Sequence, residues 1–227
     1  MERRTPLQTA SRNNAQKRHR RTPFRRYTNL AAVIHLLQMR EITLLNPASW
    51  DDRNDAYFMA EYKRLLKAKS ALALCFAESE ETYHHWRVFS HGADGVCIEF
   101  DKAALLTAFD NQPKIRLGRV NYRQIKTLKE RPQIGIEELP FLKRLPYQDE
   151  KEFRIVYVDM AEAEEFRNFG IDLSWIKRIT LSPWMSQALS RSVVKTLRLI
   201  PGCAALKISR STLVGNHEWQ ELTSRAK

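Results

Sequence analysis

Ala71-Leu-Ala-Leu-Cys-Phe76 is a nearly continuous apolar run, and it predicts a strand at the centre of a sheet. Upstream, Ala56 to Lys69 has helical spacing, with Phe58, Tyr62, Leu65 and Leu66 as its inward stripe. Before it lie a polar loop, Trp50-Asp-Asp-Arg-Asn-Asp55, and a short strand, Ile42 to Leu45, ended by Asn46-Pro47. Leu30 to Met39 is a further helix that Thr28 or Asn29 can cap, so structure begins near Phe24. Downstream, Tyr83 to Phe89 reads as a helical turn or two and Gly95 to Phe100 as a strand, and Asp101 caps a helix over Lys102 to Phe109. Strands are expected at Ile115 to Tyr122, Phe153 to Val158, Ile176 to Leu181 and Ala204 to Ile208. Helices are expected at Ile136 to Leu145 and from near Pro183 to Leu199. Short strands between unequal helices give an α+β fold: a single domain with short mixed or antiparallel sheets flanked by helices. The seven glycines form no phosphate-cradling loop, which argues against a doubly wound dinucleotide fold.

The 227 residues carry a net charge of +12, and the charge is unevenly placed. Residues 1–26 hold nine Lys or Arg against Glu2, a local +8, which leaves +4 for the other 201. Residues 1–23 therefore read as a basic, disordered arm, 24–210 as the α+β domain, and 211–227 as a tail with some helix. Lys17, Arg18, Arg20 and Arg21 suit contact with RNA or DNA, with organellar targeting as the other reading of such a leader. A mean hydropathy of −0.49 and the lack of a long apolar run exclude a membrane-spanning helix. Cys75, Cys97 and Cys203 are odd in number and scattered among apolar neighbours, which fits buried thiols in a reducing, cytoplasmic setting.

The densest candidate chemistry is Tyr147-Gln-Asp-Glu-Lys-Glu-Phe-Arg154. If the chain is extended from Glu150, alternation puts Glu150, Glu152 and Arg154 on one face. Two carboxylates and an arginine so placed can hold a sugar hydroxyl or stabilise positive charge, or they can form a static ion network. Glu99, between Ile98 and Phe100, needs a cationic partner such as Arg26, Arg87 or Arg154. Arg25-Arg26-Tyr27 and Asn54-Asp55 are further candidates, although Asn and Asp also cap helices. His84 and His85 point about 100° apart on a helix and cannot grip one metal ion together, and His91 in a turn could act as a base.

In order, Arg26-Tyr27, Asn54-Asp55, Cys75-Phe76, Trp86, Gly95 to Asp101 and Glu150 to Arg154 resemble a bacterial and phage-associated family of unknown function, over about residues 24–210. Two departures are Ala56, where the family commonly has proline, and Phe89, where it commonly has tyrosine. The order of polar groups is also similar to that of ADP-ribosyltransferases: an early arginine, a serine in the middle, then an E-x-E glutamate. That resemblance implies an NAD-dependent transferase acting on nucleic acid or protein. Arg26 would clamp the pyrophosphate, Tyr27, Ser79 and Trp86 would hold the cofactor, and Glu152 would stabilise oxocarbenium character. Glu150 would take the acceptor's proton, with Asn54, Asp55, Glu99 and Arg154 in support.

Two other readings stay open. Asp149-Glu-Lys151 fits a loose D/E-x-K nuclease pattern, with Glu99 or Asp94 supplying a second carboxylate for Mg²⁺. A non-catalytic module binding nucleic acid through its arm is the other. The transferase reading expects Arg26, Glu99, Glu150, Glu152 and Arg154 to converge on one concavity, with an aromatic wall from Tyr27, Tyr57 or Trp86.

Overall fold

The computed structural model describes residues 22–90, 92–110 and 112–226. Lys17, Arg18, Arg20, Arg21 and His91 lie outside them. In chain order the elements are β1 (Phe24–Asn29), α1 (Leu30–Met39), β2 (Glu41–Leu45), α2 (Arg53–Leu65), β3 (Ser70–Ala77), α3 (Tyr83–Phe89), β4 (Gly95–Phe100), α4 (Lys102–Asp110) and β5 (Ile115–Arg119). There follow β6 (Asn121–Arg123), α5 (Ile125–Lys129), β7 (Leu142–Arg144), β8 (Glu152–Asp159), β9 (Phe166–Gly170), β10 (Ile176–Leu181), α6 (Gln187–Leu199), β11 (Ile208–Arg210) and α7 (His217–Glu221). The fold is α+β in a single domain, with one large mixed sheet and a two-stranded parallel one, β6–β7.

β3 is the spine of the large sheet, as its apolar run predicts. All eight of its residues pair with β8 along one edge. Alternation then gives the sheet two unlike faces. Leu72, Leu74 and Phe76 join Phe24, Ile98, Phe100, Phe153 and Ile155 on one face. There they meet Leu36 and Leu37 of α1, Leu105 and Phe109 of α4, and Leu197 of α6. On the other face Ala71, Ala73 and Val156 pack under Met59 and Tyr62 of α2. This second face is the one with polar strand residues, and α3 also lies on it through His85 and Trp86.

Several elements differ from expectation, each for a local reason. Phe24 to Asn29 is a strand, held by six successive pairings with β4, before Asn29 caps α1. α2 starts at Arg53 because the Asp52 side chain accepts the Asn54 and Asp55 N–H groups. The expected helix over 136–145 is replaced by a 3-10 segment (Ile136–Phe141), β7 and the start of another 3-10 segment (Leu145–Glu150). Pro140 and Pro146 lack the N–H donors that an α-helix would need there. α6 begins at Gln187, where the Ser186 hydroxyl caps it, and the last strand lies at 208–210. The strand expected over 115–122 breaks at Val120 into β5 and β6.

Candidate functional site

The large sheet has a fork in it. β1 and β2 both run antiparallel to β3 on the same edge, and each holds it at a single pair: Arg25 opposite Ala77, and Leu45 opposite Ala73. Between those points the two strands part. Arg26 bridges the opening with one long hydrogen bond, Nη1 to the Thr43 carbonyl at 3.4 Å.

Beside the fork, β8 presents a buried network of charge. Arg154 is fully enclosed, and its guanidinium grips two carboxylates at once: Glu152 through Nε (2.7 Å) and Nη2 (2.8 Å), and Asp55 through Nη1 (2.8 Å) and Nη2. Its Nη1 also donates to the Pro140 carbonyl (2.9 Å), and the Trp50 ring lies 4.9 Å away. Lys143 Nζ, from β7, lies 2.6 Å from Glu150, 3.4 Å from Asp55 and 3.5 Å from Glu152. Asp55, Glu150 and Glu152 are 4%, 3% and 7% exposed, so three acids face two bases in an enclosed space.

Burial, together with that imbalance, sets the protonation. Burial penalises the Glu152 carboxylate, but the charge and hydrogen bonds of Arg154 outweigh it and hold its pKa at about 2. For Glu150 burial wins over the pull of Lys143, with Glu152 adding to it, and its pKa rises to about 7. Lys143 also resists burial, but Glu152, Asp55 and Glu150 keep it charged beyond its ordinary range. A proton on Glu150 makes the network neutral.

Glu150 reaches this place by a route that alternation does not describe. It ends a 3-10 segment and Lys151 takes a left-handed conformation (φ 44), so the strand begins only at Glu152. What brings the two glutamates together is Lys143, a residue the sequence reading did not single out. The other missed residue is His85. Its Nε2 lies 3.2 Å from the Glu150 carbonyl and 3.3 Å from Ser79 Oγ, and its Nδ1 lies by Thr82 Oγ1 (2.5 Å). A carbonyl only accepts, so Nε2 carries the hydrogen and Nδ1 accepts from Thr82. Burial lowers the His85 pKa, which favours this neutral form.

His85 joins the network to a small aromatic box. Tyr27 stacks on His85 (5.3 Å between ring centres), and Trp86 stands edge-on to Tyr27 at 5.2 Å. The Tyr27 hydroxyl is buried, and among the described residues its one neighbour for hydrogen bonding is the weak Cys97 thiol. Trp86 is completely enclosed and donates to Glu81 (2.6 Å), so its indole offers no open face to a ligand, and Tyr57 is exposed.

The five residues expected in one concavity thus divide. Glu150, Glu152 and Arg154 meet, with Asp55 as a full member and Asn54 only hydrogen-bonded back to Asp52. Glu99 pairs with Arg25 (3.1 Å), its direct neighbour across the β1–β4 register, and not with Arg26, Arg87 or Arg154. Arg26 alternates away from Arg25 into the fork, where burial lowers its pKa to about 10 and Cys75 is the group acting on its charge. The same Cys75 thiol is pushed far up by burial and feels Glu152, Arg154 and Asp55. Asp149 and Lys151 are exposed and no described carboxylate joins them. Among the described residues, the acids spaced to share a cation are Asp159, Glu162 and Glu164, at the far end of β8. The residues present therefore do not fit the expected D/E-x-K magnesium site.

Two cavities border the network. One of about 560 Å³ is lined by Thr22, Glu78, Arg119, Tyr122, Lys151 and Glu152, among others. Another of about 200 Å³ is lined by Asn54, Asp55, Phe58, Arg123 and Lys143, among others. The larger one is within the range that holds small-molecule ligands.

Residues 85–155 match a family model described as "Protein of unknown function (DUF2971)". That stretch runs from His85 through Lys143 to Glu150, Glu152 and Arg154. No curated protein matches the chain. Among solved structures, Thermus sp. 2.9 DarT in complex with NAD+ is similar at 14% identity and a TM-score of 0.43, over 84% of this chain and 95% of that one. The DarT complexes with carba-NAD+ (13%, TM-score 0.43) and with ADP-ribosylated ssDNA (14%, TM-score 0.44) cover this chain to the same extent and their own chains to 95% and 94%. At such identities and scores the likeness carries no weight for the reaction or the site of this chain.

Proposed function

We propose that this protein is an NAD-dependent ADP-ribosyltransferase whose working groups are Glu152, Glu150 and Arg26. The observation that carries the reading is the division of labour between two adjacent carboxylates, one held ionised at about 2 and one poised at about 7. Pairs of acids driven apart in this way mark acid–base assignments. Breaking the bond between ribose and nicotinamide builds positive charge on the sugar, which the permanently ionised Glu152 would stabilise. Attack by the acceptor releases a proton, and a group with a pKa near neutrality is the efficient taker; Glu150 fills that role.

NAD also needs a partner for its pyrophosphate. Arg26 has five N–H donors and, among the described residues, one long hydrogen bond and no ion-paired carboxylate, which leaves it suited to a phosphate. The Tyr27 hydroxyl, which has only the weak Cys97 thiol beside it among the described residues, offers a second polar contact to the ligand. The acceptor is nucleic acid or protein, and the basic leader would draw the chain to nucleic acid. Among the described residues no helix is long and apolar enough to cross a membrane; three free thiols favour the cytoplasm as the place of work.

The test is incubation with nicotinamide-labelled NAD, with mixed nucleic acids and proteins as acceptors, comparing wild type with Glu152→Gln. Nicotinamide release by the wild type that falls by a factor of ~10² or more in the variant supports the reading. Equal release from both, or none from either, sinks it.

A further inference from the structure

The register of the small β6–β7 sheet sets Arg123 directly opposite Arg144. Both are exposed, and among the described residues neither makes a hydrogen bond or a close ion pair, although Arg123 acts on the charge of Glu138 from further off. Opposed strand residues are about 5 Å apart, and like charges so placed repel. Nearby arginines are matched: Arg119 by Glu78, Arg131 by Glu138, Arg167 by Glu164. A pair fixed side by side by backbone pairing, its charge offset only by Glu138 near Arg123, is what an anion would neutralise.

The pair lies over a run of joined cavities. Both arginines line one of about 400 Å³ together with Leu145 and Gln148. Leu145 and Gln148 also line the 560 Å³ cavity that contains Tyr122, Lys151 and Glu152. On the other side Arg123, Ile125 and Arg144 are shared with the 200 Å³ cavity. Lys151 is exposed and unpaired like the arginines. Thr22, where the basic leader meets the described chain, lines the same 560 Å³ cavity.

We propose that this groove binds a single-stranded polynucleotide, with Arg123 and Arg144 gripping one phosphodiester together and Lys151 meeting another. A free phosphate would satisfy the arginine pair alone. The length of the run, and Ile125, Leu145 and Tyr122 beneath it, suit a strand whose bases lie on apolar and aromatic surface. The site stands apart from the transferase reading, because it requires neither NAD nor turnover.

Binding of a fluorescein-labelled single strand of about twelve nucleotides to the full chain is read by anisotropy across a salt series. Losing the one phosphate contact that the pair makes lowers the log–log salt slope by ~0.7, which is about 5-fold in affinity near 0.1 M salt. That is the result expected of Arg123→Gln/Arg144→Gln. Lys195→Gln/Arg198→Gln removes the same charge from exposed positions on α6 and should leave the slope as it is. Arg123→Glu gives Arg144 a carboxylate partner, so its melting temperature should hold or rise while binding weakens at least as far. Absence of wild-type binding overturns the proposal. So does an unchanged slope in the arginine variants, or an equal loss in the α6 control. Displacement of the strand by inorganic phosphate at matched phosphate concentration would also overturn it, since the site would then read a single anion only.

Discussion

Replacing Glu150 by Gln should make this protein more stable at neutral and alkaline pH. With every group ionised, Asp55, Glu150 and Glu152 outnumber Lys143 and Arg154 by one charge in an enclosed space. Burial first, with the neighbouring Glu152 adding to it, raises Glu150 from 4.5 to about 7 against the pull of Lys143. Between those values the folded chain holds a proton that the unfolded chain has released, so stability falls as pH rises. The contribution is intact below about pH 4.5 and gone above about pH 7. At ~1.4 kcal/mol per pH unit the loss is roughly 3 kcal/mol. Gln copies the protonated acid and can still accept from Lys143, so Glu150→Gln should match wild type near pH 4.5 and exceed it by up to ~3 kcal/mol at pH 8. For a chain of this size that is a rise of about 6–12 °C in melting temperature. Calorimetric or denaturant unfolding of both proteins from pH 4.5 to pH 8 measures it. Other groups, His85 included, titrate in both proteins and drop out of the difference. A variant less stable than wild type at pH 8, or a difference that does not change with pH, would refute the charge-balance argument.

Arg154→Met removes the guanidinium that makes two hydrogen bonds to each of Asp55 and Glu152, leaving buried carboxylates with Lys143 alone; chemical denaturation should record a loss of about 3–5 kcal/mol, partly recovered when Asp55→Asn is added. Tyr27→Phe deletes a buried hydroxyl whose only partner among the described residues is the weak Cys97 thiol, so the ligand-free protein should melt at the same temperature or higher, while NAD affinity by calorimetry falls.

The parts of the fold legible in the sequence are those where one local signal dominates. The apolar runs of β3, β4, β8 and β10 declare themselves, as does the Asn29 cap of α1. β1 does not, because Phe-Arg-Arg-Tyr-Thr-Asn has no apolar alternation. It is a strand through its full pairing with β4, and Arg25 is tolerated on the sheet because Glu99 and Glu80 neutralise it. β9, β6 and β7 likewise exist through partners far away in sequence. At the site, Glu150, Glu152 and Arg154 could be named from their spacing, yet the actual cause of their meeting is tertiary. Lys143 comes from a segment that reads as variable and charged. His85 was weighed only as half of an unsuitable histidine pair, and Thr82, three residues before it, was the available hint of a capped and anchored ring.

The central claim is that two neighbouring glutamates are held in opposite protonation states. Selective ¹³C labelling of glutamate side chains, with Glu150→Gln and Glu152→Gln assigning the two carboxyl signals, reads both titrations directly by NMR. The expected midpoints are about 7 for Glu150 and about 2 for Glu152. Two signals that both titrate near the ordinary carboxylate value of about 4.3 would contradict the account.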